Sequence, residues 1–324
     1  MILNTAKSTT NYRCGRGATA LTAILLLFGF EASATENGGS VWPAGAESVA
    51  MASAVPRAGQ TWFYWYTTFY FANELDDSHG TAVSISDFKL RVFANAPKVA
   101  HNWGVPFLGG QIGSWASVPF LYEQLHLPSG RFTKFGIGNC NFVPFTVYYH
   151  HGIYHWFYEL QFETPGTGYL RGANLNIGQH NMAMTPGAAI TISPRRIISE
   201  VGVRADYVIN NPDHATHYHS GNEFLTEFDA RKELFHGRGS IGAIGYFYQQ
   251  TTNDTVGGKA VVSINADGST SLGNRGRVLD LGVQATLPIG KLGGMAFKWE
   301  RDTLVQNKPR GNTLWFQFVI SLHH

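Results

Sequence analysis

Charged side chains recur at every second position in several stretches of this chain that are otherwise apolar. Residues two apart share one face of an extended strand, so the charges of each stretch would lie on a common face. Held together inside a closed sheet, they would either pair as structural ion pairs or form a polar constriction that gates a path for solute. The spacing leaves both roles open. The residues assigned to this interior set are Lys89, Arg91, Glu159, Glu163, Arg204, Asp206, Glu223, Glu227, Asp229, Arg231, Asp280, Lys298 and Glu300.

Three histidines, His214, His217 and His219, lie close together in one polar stretch. Imidazole nitrogens bind zinc and copper, which makes this stretch the clearest candidate for a metal site. Its one acidic neighbour at short spacing is Asp213, and no thiol accompanies it. We therefore expect a solvated loop and predict no metal ligands.

Hydrolytic catalysis is a second chemistry to consider. A serine hydrolase needs a serine, a histidine and an acid or amide that converge in space. The sequence has no Gly-x-Ser-x-Gly elbow, and its histidines fall mostly in predicted loops and turns. We predict no catalytic residues, no cofactor and no enzyme activity.

The first 34 residues have the layout of a secretory signal peptide. Three cationic residues precede an apolar run over residues 18–30, and Ala32 and Ala34 supply the small-residue cleavage pattern. A membrane-anchoring helix is the alternative, but this run is shorter than the ~20 residues that a spanning helix needs. We expect export, with cleavage near Ala34.

The composition of the remaining chain is poor in charge and rich in aromatic residues. Charged residues are 14 % of the sequence and aromatic residues also 14 %, whereas soluble domains carry about 25 % charged residues. Loss of the signal peptide removes three cations and one anion and so cancels the net charge of +2. A basic surface for nucleic acid is therefore not expected. Cys140 alone remains, which excludes an internal disulfide.

Period-two alternation of apolar and polar residues is the main structural signal, and it is clearest over residues 278–287 and 313–322. A soluble sandwich and a membrane barrel both show this pattern, because they differ only in which face meets water. The predicted strands are 60–73, 83–99, 104–116, 134–149, 153–163, 181–192, 196–209, 221–234, 239–250, 275–287, 291–303 and 312–322.

The lengths of the links between these strands distinguish the two folds. Long links are predicted at 74–82, 117–133, 164–180, 210–220, 251–274 and 304–311, and short ones at 100–103, 150–152, 193–195, 235–238 and 288–290. Long loops at one end and tight turns at the other are typical of outer-membrane barrels. The sequence thus predicts an all-β fold, a transmembrane antiparallel up-and-down barrel of about 12 strands over residues 60–322.

Residues 35–59, between the signal peptide and the first strand, are rich in Gly, Ala and Ser. They are either a periplasmic leader without regular structure or a plug that folds into the barrel lumen. The apolar Val41-Trp42-Pro43 within them favours the plug, whereas a leader without regular structure would have much the same sequence.

Five short motifs are spread in order over nearly all of the mature chain: Asn37–Glu47, Ser220–Asp229, Gly245–Asp254, Gly273–Val278 and Asn307–Gln317. In these motifs the chain resembles a family of outer-membrane proteins associated with the meta-cleavage pathway of phenol degradation. The resemblance implies a barrel that passes hydrophobic or aromatic compounds, similar in idea to the long-chain fatty acid transporters.

The expected function is passive uptake of small hydrophobic or aromatic compounds through an outer-membrane channel. A structural or adhesive barrel without transport activity is the alternative, with loops 164–180 and 251–274 as binding surfaces. The expected partners are outer-membrane lipids, the transported solutes and the barrel assembly machinery.

Overall fold

The computed structural model describes residues 39–48, 52–194, 198–234, 237–290 and 293–322. The predicted signal peptide lies outside these ranges. No helix in the described part of the chain is long and apolar enough to cross a membrane. The strands are β1 (Thr61–Leu75), β2 (Lys89–Phe107), β3 (Gly110–Ser117), β4 (Phe120–Leu127), β5 (Gly130–Ile137), β6 (Asn141–His151), β7 (Tyr154–Glu163), β8 (Ala183–Ile192), β9 (Glu200–Asn210), β10 (Tyr218–His219), β11 (Glu223–Leu234), β12 (Gly239–Gln250), β13 (Thr255–Val256), β14 (Lys259–Ala260), β15 (Val262–Ile264), β16 (Thr270–Leu272), β17 (Arg277–Ile289), β18 (Gly293–Gln306) and β19 (Pro309–Ser321).

Twelve antiparallel strands form a closed barrel. β1 pairs with β19 on one side and with β2 on the other, so the sheet has no free edge at the chain ends. Closure lets the strands satisfy their ladder hydrogen bonds within the wall, which is what a sheet in lipid requires. The order around the barrel is β1, β19, β18, β17, β12, β11, β9, β8, β7, β6, β3 and β2. This confirms the predicted fold class.

Two further strands, β4 and β5, extend the wall at the end that carries the long loops. The first half of β2 pairs with β4 and its second half with β3, so β3 and β4 follow one another along the same neighbour. β4 then turns into β5. The predicted long link at 117–133 therefore consists largely of the β4–β5 hairpin, and its prolines stand at the break before β4 and at the β4–β5 turn.

Two other predicted links differ from the structure. The predicted turn at 100–103 lies inside β2, and the chain reverses instead at Leu108 and Gly109, whose φ angles are +47° and +83°. Two successive residues with positive φ are typical of tight hairpin turns. The predicted long link at 304–311 is a two-residue turn between β18 and β19.

The two faces of the wall are chemically opposite to those of a soluble sandwich. Outward side chains such as Phe145 and Val283 are apolar and largely exposed, at 65 % and 55 %, whereas the inward Glu163 and Asp280 are fully buried. An apolar exterior and a polar interior are what a barrel surrounded by lipid requires.

Candidate functional site

Residues 39–48 and 52–58, here called the interior segment, lie inside the barrel. Gly45 donates its N–H to Glu227 on β11 at 3.1 Å, and Ala52 donates its N–H to Thr191 on β8 at 3.0 Å. Hydrogen bonds from one short segment reach strands on several sides of the wall, which only a position in the lumen permits. The segment therefore occupies the lumen, where the barrel contributes most of its hydrogen-bond partners.

Trp42 is the apolar anchor of the interior segment. It is 4 % exposed and packs in a buried cluster with Leu225 and Trp115, whose ring lies 6.4 Å from that of Trp42. Its indole N–H points to Glu227 at 3.4 Å. Burial of a tryptophan with its N–H directed at a carboxylate satisfies both the apolar and the polar part of the side chain.

Arg204 on β9 lies at the centre of the buried charge network. Its guanidinium donates to Glu159 at 2.6 Å and to Asp206 at 2.7 Å, and its centre lies 4.8 Å from the ring of Trp42. Trp115 donates to the second oxygen of Glu159 at 2.8 Å. The planar fork of arginine suits two carboxylates and an aromatic face at once, whereas lysine would not.

Glu47 binds the interior segment to the opposite side of the wall. It accepts hydrogen bonds from Lys98 on β2 at 2.8 Å and from Tyr66 on β1 at 3.0 Å. The Lys98 ammonium also lies 4.0 Å from the centre of the Trp115 ring. The β1–β2 side and the β7–β9 side are thus joined through the segment.

A third attachment joins the segment to β18. Lys298 donates to the Gly45 carbonyl and, at 2.8 Å, to Ser48. Gly45 has a φ of +83°, and a Cβ atom there would lie 2.7 Å from Glu300. Both the backbone conformation and the close approach of Glu300 require glycine at this position.

Eleven of the predicted interior residues share the inward face of their strands. Glu223 on β11 also contacts the interior segment through Ser40, and Arg231 pairs with Glu200 at 2.7 Å. Among the described residues, the buried carboxylate of Asp280 has no hydrogen-bond partner. The eleven are Glu159, Glu163, Arg204, Asp206, Glu223, Glu227, Asp229, Arg231, Asp280, Lys298 and Glu300.

Lys89 and Arg91 are the exceptions, and their assignment to the interior is corrected by the structure. Lys98 fixes the even-numbered residues of β2 as inward, and the pairing of β1 with β2 runs without a register shift. Lys89 and Arg91 therefore project from the outer face. Alternation places Lys89 and Arg91 on one common face, but charge alone does not identify that face as the lumen, because near the end of a strand an outward charge also reaches water.

Several residues of the site were missed in the sequence. Lys98 stood at the predicted end of its strand, and Glu47 in a segment without periodicity. Asp302 accepts hydrogen bonds from Tyr70 and Tyr246, both at 3.1 Å. It continues the inward alternation of Lys298 and Glu300, and this signal was available.

The histidines do not assemble into a metal site in the described residues. His219 bonds the carbonyl of Asn210 at 2.8 Å, and Asp213 lies 3.2 Å from His180 rather than from the other histidines. No group of three or more potential ligands was found in the part of the chain that the structure describes.

A cavity of about 940 Å³ lies below the interior segment, towards the short turns. Its wall carries aromatic side chains beside the charged Lys98 and Arg204, and it extends to residues near the strand ends, such as Gly239 and Pro288. The aromatic lining residues are Trp62, Tyr64, Tyr66, Trp115, Tyr148, Phe157 and Phe318.

Residues 72–318 match the model of the family described as "Putative MetA-pathway of phenol degradation". The chain belongs to this family. Among solved structures, it is similar to the COG4313 outer membrane channel from Pseudomonas putida F1, with 16 % identity, a TM-score of 0.69, and 87 % of this chain and 100 % of that chain covered.

The β domain of the Bordetella autotransporter BrkA is also similar, with 11 % identity, a TM-score of 0.48, and 82 % of this chain and 100 % of that chain covered. No curated protein matches the sequence. The family match confirms the resemblance found in the sequence, and the similarity to the Pseudomonas putida structure supports the barrel fold.

Proposed function

We propose that this chain is an outer-membrane channel for passive uptake of small hydrophobic or aromatic compounds. The export signal, with cleavage near Ala34, and the apolar outer face both favour that location. The observation that carries the proposal is the interior segment, which occupies the lumen and is held there by side-chain contacts, both polar bonds and the packing of Trp42, without being a strand of the wall. Such a segment can be displaced without unfolding the wall.

The nature of these contacts supports a gate. When the segment leaves and water enters the lumen, the groups of the Glu47–Lys98 and Gly45–Glu227 bonds become hydrated, so the net cost of breaking each bond is about 0.5–3 kcal/mol. The backbone hydrogen bonds between neighbouring strands, by contrast, form continuous ladders around the whole wall, so a strand cannot leave without breaking many of them. The segment is therefore easier to displace than a strand of the wall.

The cavity beside the segment supports the substrate class. Trp62, Tyr64 and Phe157 line it, and aromatic rings stack favourably on one another. The name of the Pseudomonas putida relative, an outer membrane channel, and the phenol degradation in the family's description agree with an aromatic solute.

A structural or adhesive barrel is the second candidate, and the filled lumen favours it. A barrel whose interior is packed with ion pairs does not need to conduct. In that case, the loops at the end opposite the short turns would carry the function.

Deletion of residues 35–55 separates the two functions. The deletion and full-length proteins would be compared in planar bilayers for conductance, and in cells for uptake of radiolabelled toluene with a labelled sugar as the control. Refolding to a heat-modifiable band on gels would first show that each variant forms the barrel.

A larger and steadier conductance in the deletion, together with toluene uptake that depends on the protein, supports the gated channel. Negligible conductance in both forms, with toluene uptake unchanged when the protein is absent from cells, contradicts the channel and favours the structural barrel.

A further inference from the structure

The outer face of the barrel carries a basic cluster formed by Lys89, Arg91, His126 and Arg131. Lys89 on β2 is the register partner of His126 on β4, which in turn is the partner of Arg131 on β5. Partners in adjacent strands project on the same face at about 5 Å spacing. Asp87, which pairs with Lys89, offsets one of these charges, so the cluster stays cationic.

The position of the cluster along the strand is set by the apolar band of the wall. Trp103 and Phe93 on β2 are both outward and ten positions apart. At about 3.3 Å per residue and a tilt near 40°, they are separated by about 25 Å along the barrel axis. This equals the height of the lipid-facing band of such barrels, about 25 Å. Arg91 and Lys89 precede Phe93 by two and four positions, on the side away from Trp103, and therefore lie at the level of the lipid headgroups.

A row of aromatic side chains lies next to the cluster on the lipid side. Phe93 pairs with Phe69 on β1 and with Tyr122 on β4, and Tyr122 pairs with Phe135 on β5, which is 70 % exposed. An outer groove of about 290 Å³ is lined by Arg91 and by the rings of Phe69, Phe93 and Tyr122. Apolar walls below and cations above form an amphipathic groove.

Arg91 is held in a fixed orientation within this groove. It donates to the carbonyls of Ala72 and Leu90, both at 2.8 Å, and to the side chain of Asn73 at 2.7 Å. These bonds use three of the five guanidinium N–H donors and leave two for a ligand. The other face of the β4–β5 hairpin is packed, because Lys134 donates to Asn176 at 2.8 Å.

We propose that this groove binds the phosphate group of an outer-leaflet lipid, with its acyl chains against the aromatic row and its phosphate on Arg91, Lys89 and Arg131. Guanidinium and ammonium groups at the membrane surface recognise lipid phosphates by charge-assisted hydrogen bonds. The juxtaposition of cations with an apolar groove distinguishes a lipid from a free anion, which would not use the aromatic row.

Binding to full-length protein in detergent would be measured by native mass spectrometry with three probes: diphosphorylated lipid A, the same lipid without phosphates, and inorganic phosphate. The test variant is the double substitution Lys89→Gln and Arg91→Gln. The matched control is Arg275→Gln with Arg277→Gln, which removes two exposed cations near β17, on another side of the barrel. Heat-modifiable gel mobility reports folding of each.

We expect the lipid with phosphates to bind, and the Lys89–Arg91 variant to lose about thirtyfold in affinity, while the control keeps it. The lipid without phosphates should bind far more weakly. Equal loss in both variants would mean that only net charge matters and would overturn the site. Equal affinity for inorganic phosphate and for the lipid would also overturn it, because the aromatic row would then have no role.

Discussion

At the residue scale, the interior depends most on Arg204, whose guanidinium is 1 % exposed and serves two carboxylates and an aromatic ring. Removing one partner of a buried charge cluster leaves the other charges without compensation, which is costlier than replacing the whole cluster. The arginine and its carboxylates should therefore behave as a unit.

Arg204→Met is expected to destabilise the barrel by about 3–5 kcal/mol, because Glu159 and Asp206 would remain buried and unpaired. Stability would be measured by a urea titration of the refolded protein. The triple variant Arg204→Met, Glu159→Gln, Asp206→Asn should recover much of the loss, and the exposed Arg275→Met should cost little. A triple variant that is less stable than the single one would contradict the ion-pair account.

Gly45 and Gly59 form a matched pair of glycines. Both have positive φ, +83° and +75°, but only Gly45 has a neighbour, Glu300, where a Cβ would lie. Gly45→Ala should loosen the interior segment and raise conductance in planar bilayers, while Gly59→Ala, with the same backbone strain and free space, should leave it unchanged. Similar conductance in the two variants would show that contact with Glu300 does not hold the segment.

At the element scale, the loops opposite the short turns are tied to one another rather than free. Asp77, after β1, accepts the N–H of Ala266 at 2.9 Å and those of His79 and Thr81, also at 2.9 Å. Burial opposes ionisation of Asp77, but these three backbone N–H groups hold the pKa of its carboxyl below the usual value. One carboxylate therefore joins the loop before β2 to the loop after β12.

A lowered pKa in the folded state makes this tie dependent on pH. The contribution of the Asp77 carboxylate to stability is complete above the pKa of the group in the unfolded chain, about 3.9. It is lost as the pH falls through the lower pKa of the folded state. Asp77→Asn should reduce the protection of the Ala266 amide against hydrogen exchange about tenfold at pH 7, after correction for intrinsic rates.

The difference between the wild type and Asp77→Asn should shrink towards zero as the pH falls below about 3.9. Asp267→Asn, an exposed carboxylate in the same loop, is the control and should have a smaller effect on Ala266. A difference that stays constant from pH 7 to pH 2 would exclude the charge of Asp77 as its cause.

At the scale of the whole molecule, the twelve-stranded closure puts both ends of the barrel wall, Thr61 and Ser321, on the side of the short turns. In an outer membrane, that side is periplasmic and the long loops face outward. The interior segment then enters the lumen from the periplasm, and the basic cluster of the outer face lies in the outer leaflet.

Single cysteines in a Cys140→Ser background test this orientation. Cysteines in place of Asp267 and Thr216, in the long loops, should react with an impermeant thiol reagent on intact cells. One in place of Ile153, in a short turn and 42 % exposed, should react only after the outer membrane is permeabilised. If only the Ile153→Cys variant were labelled on intact cells, the orientation in the membrane would be the opposite of the one proposed.

Local patterns in the sequence determined where the strands lie, because apolar and polar residues alternate with a period of two in every strand, and this pattern depends only on nearby residues. Strands such as β12, observed at Gly239–Gln250, match the predicted bounds. The family resemblance likewise follows from short motifs. Breaks at prolines, as between β3 and β4, were read as loops, because proline signals a lost hydrogen bond but not whether the strand resumes after it.

Only the tertiary structure decided which face of β2 is inward and what the interior segment contacts. Lys89 and Arg91 lie on the outer face because each is an odd number of positions from Lys98, which contacts Glu47 in the lumen. Alternation alone does not show which of the two faces is inward. The contacts of Glu47 with Lys98 and of Gly45 with Lys298 join residues far apart in the chain. Such pairs arise from barrel closure, which brings distant strands around one lumen and leaves no periodic signal in the sequence.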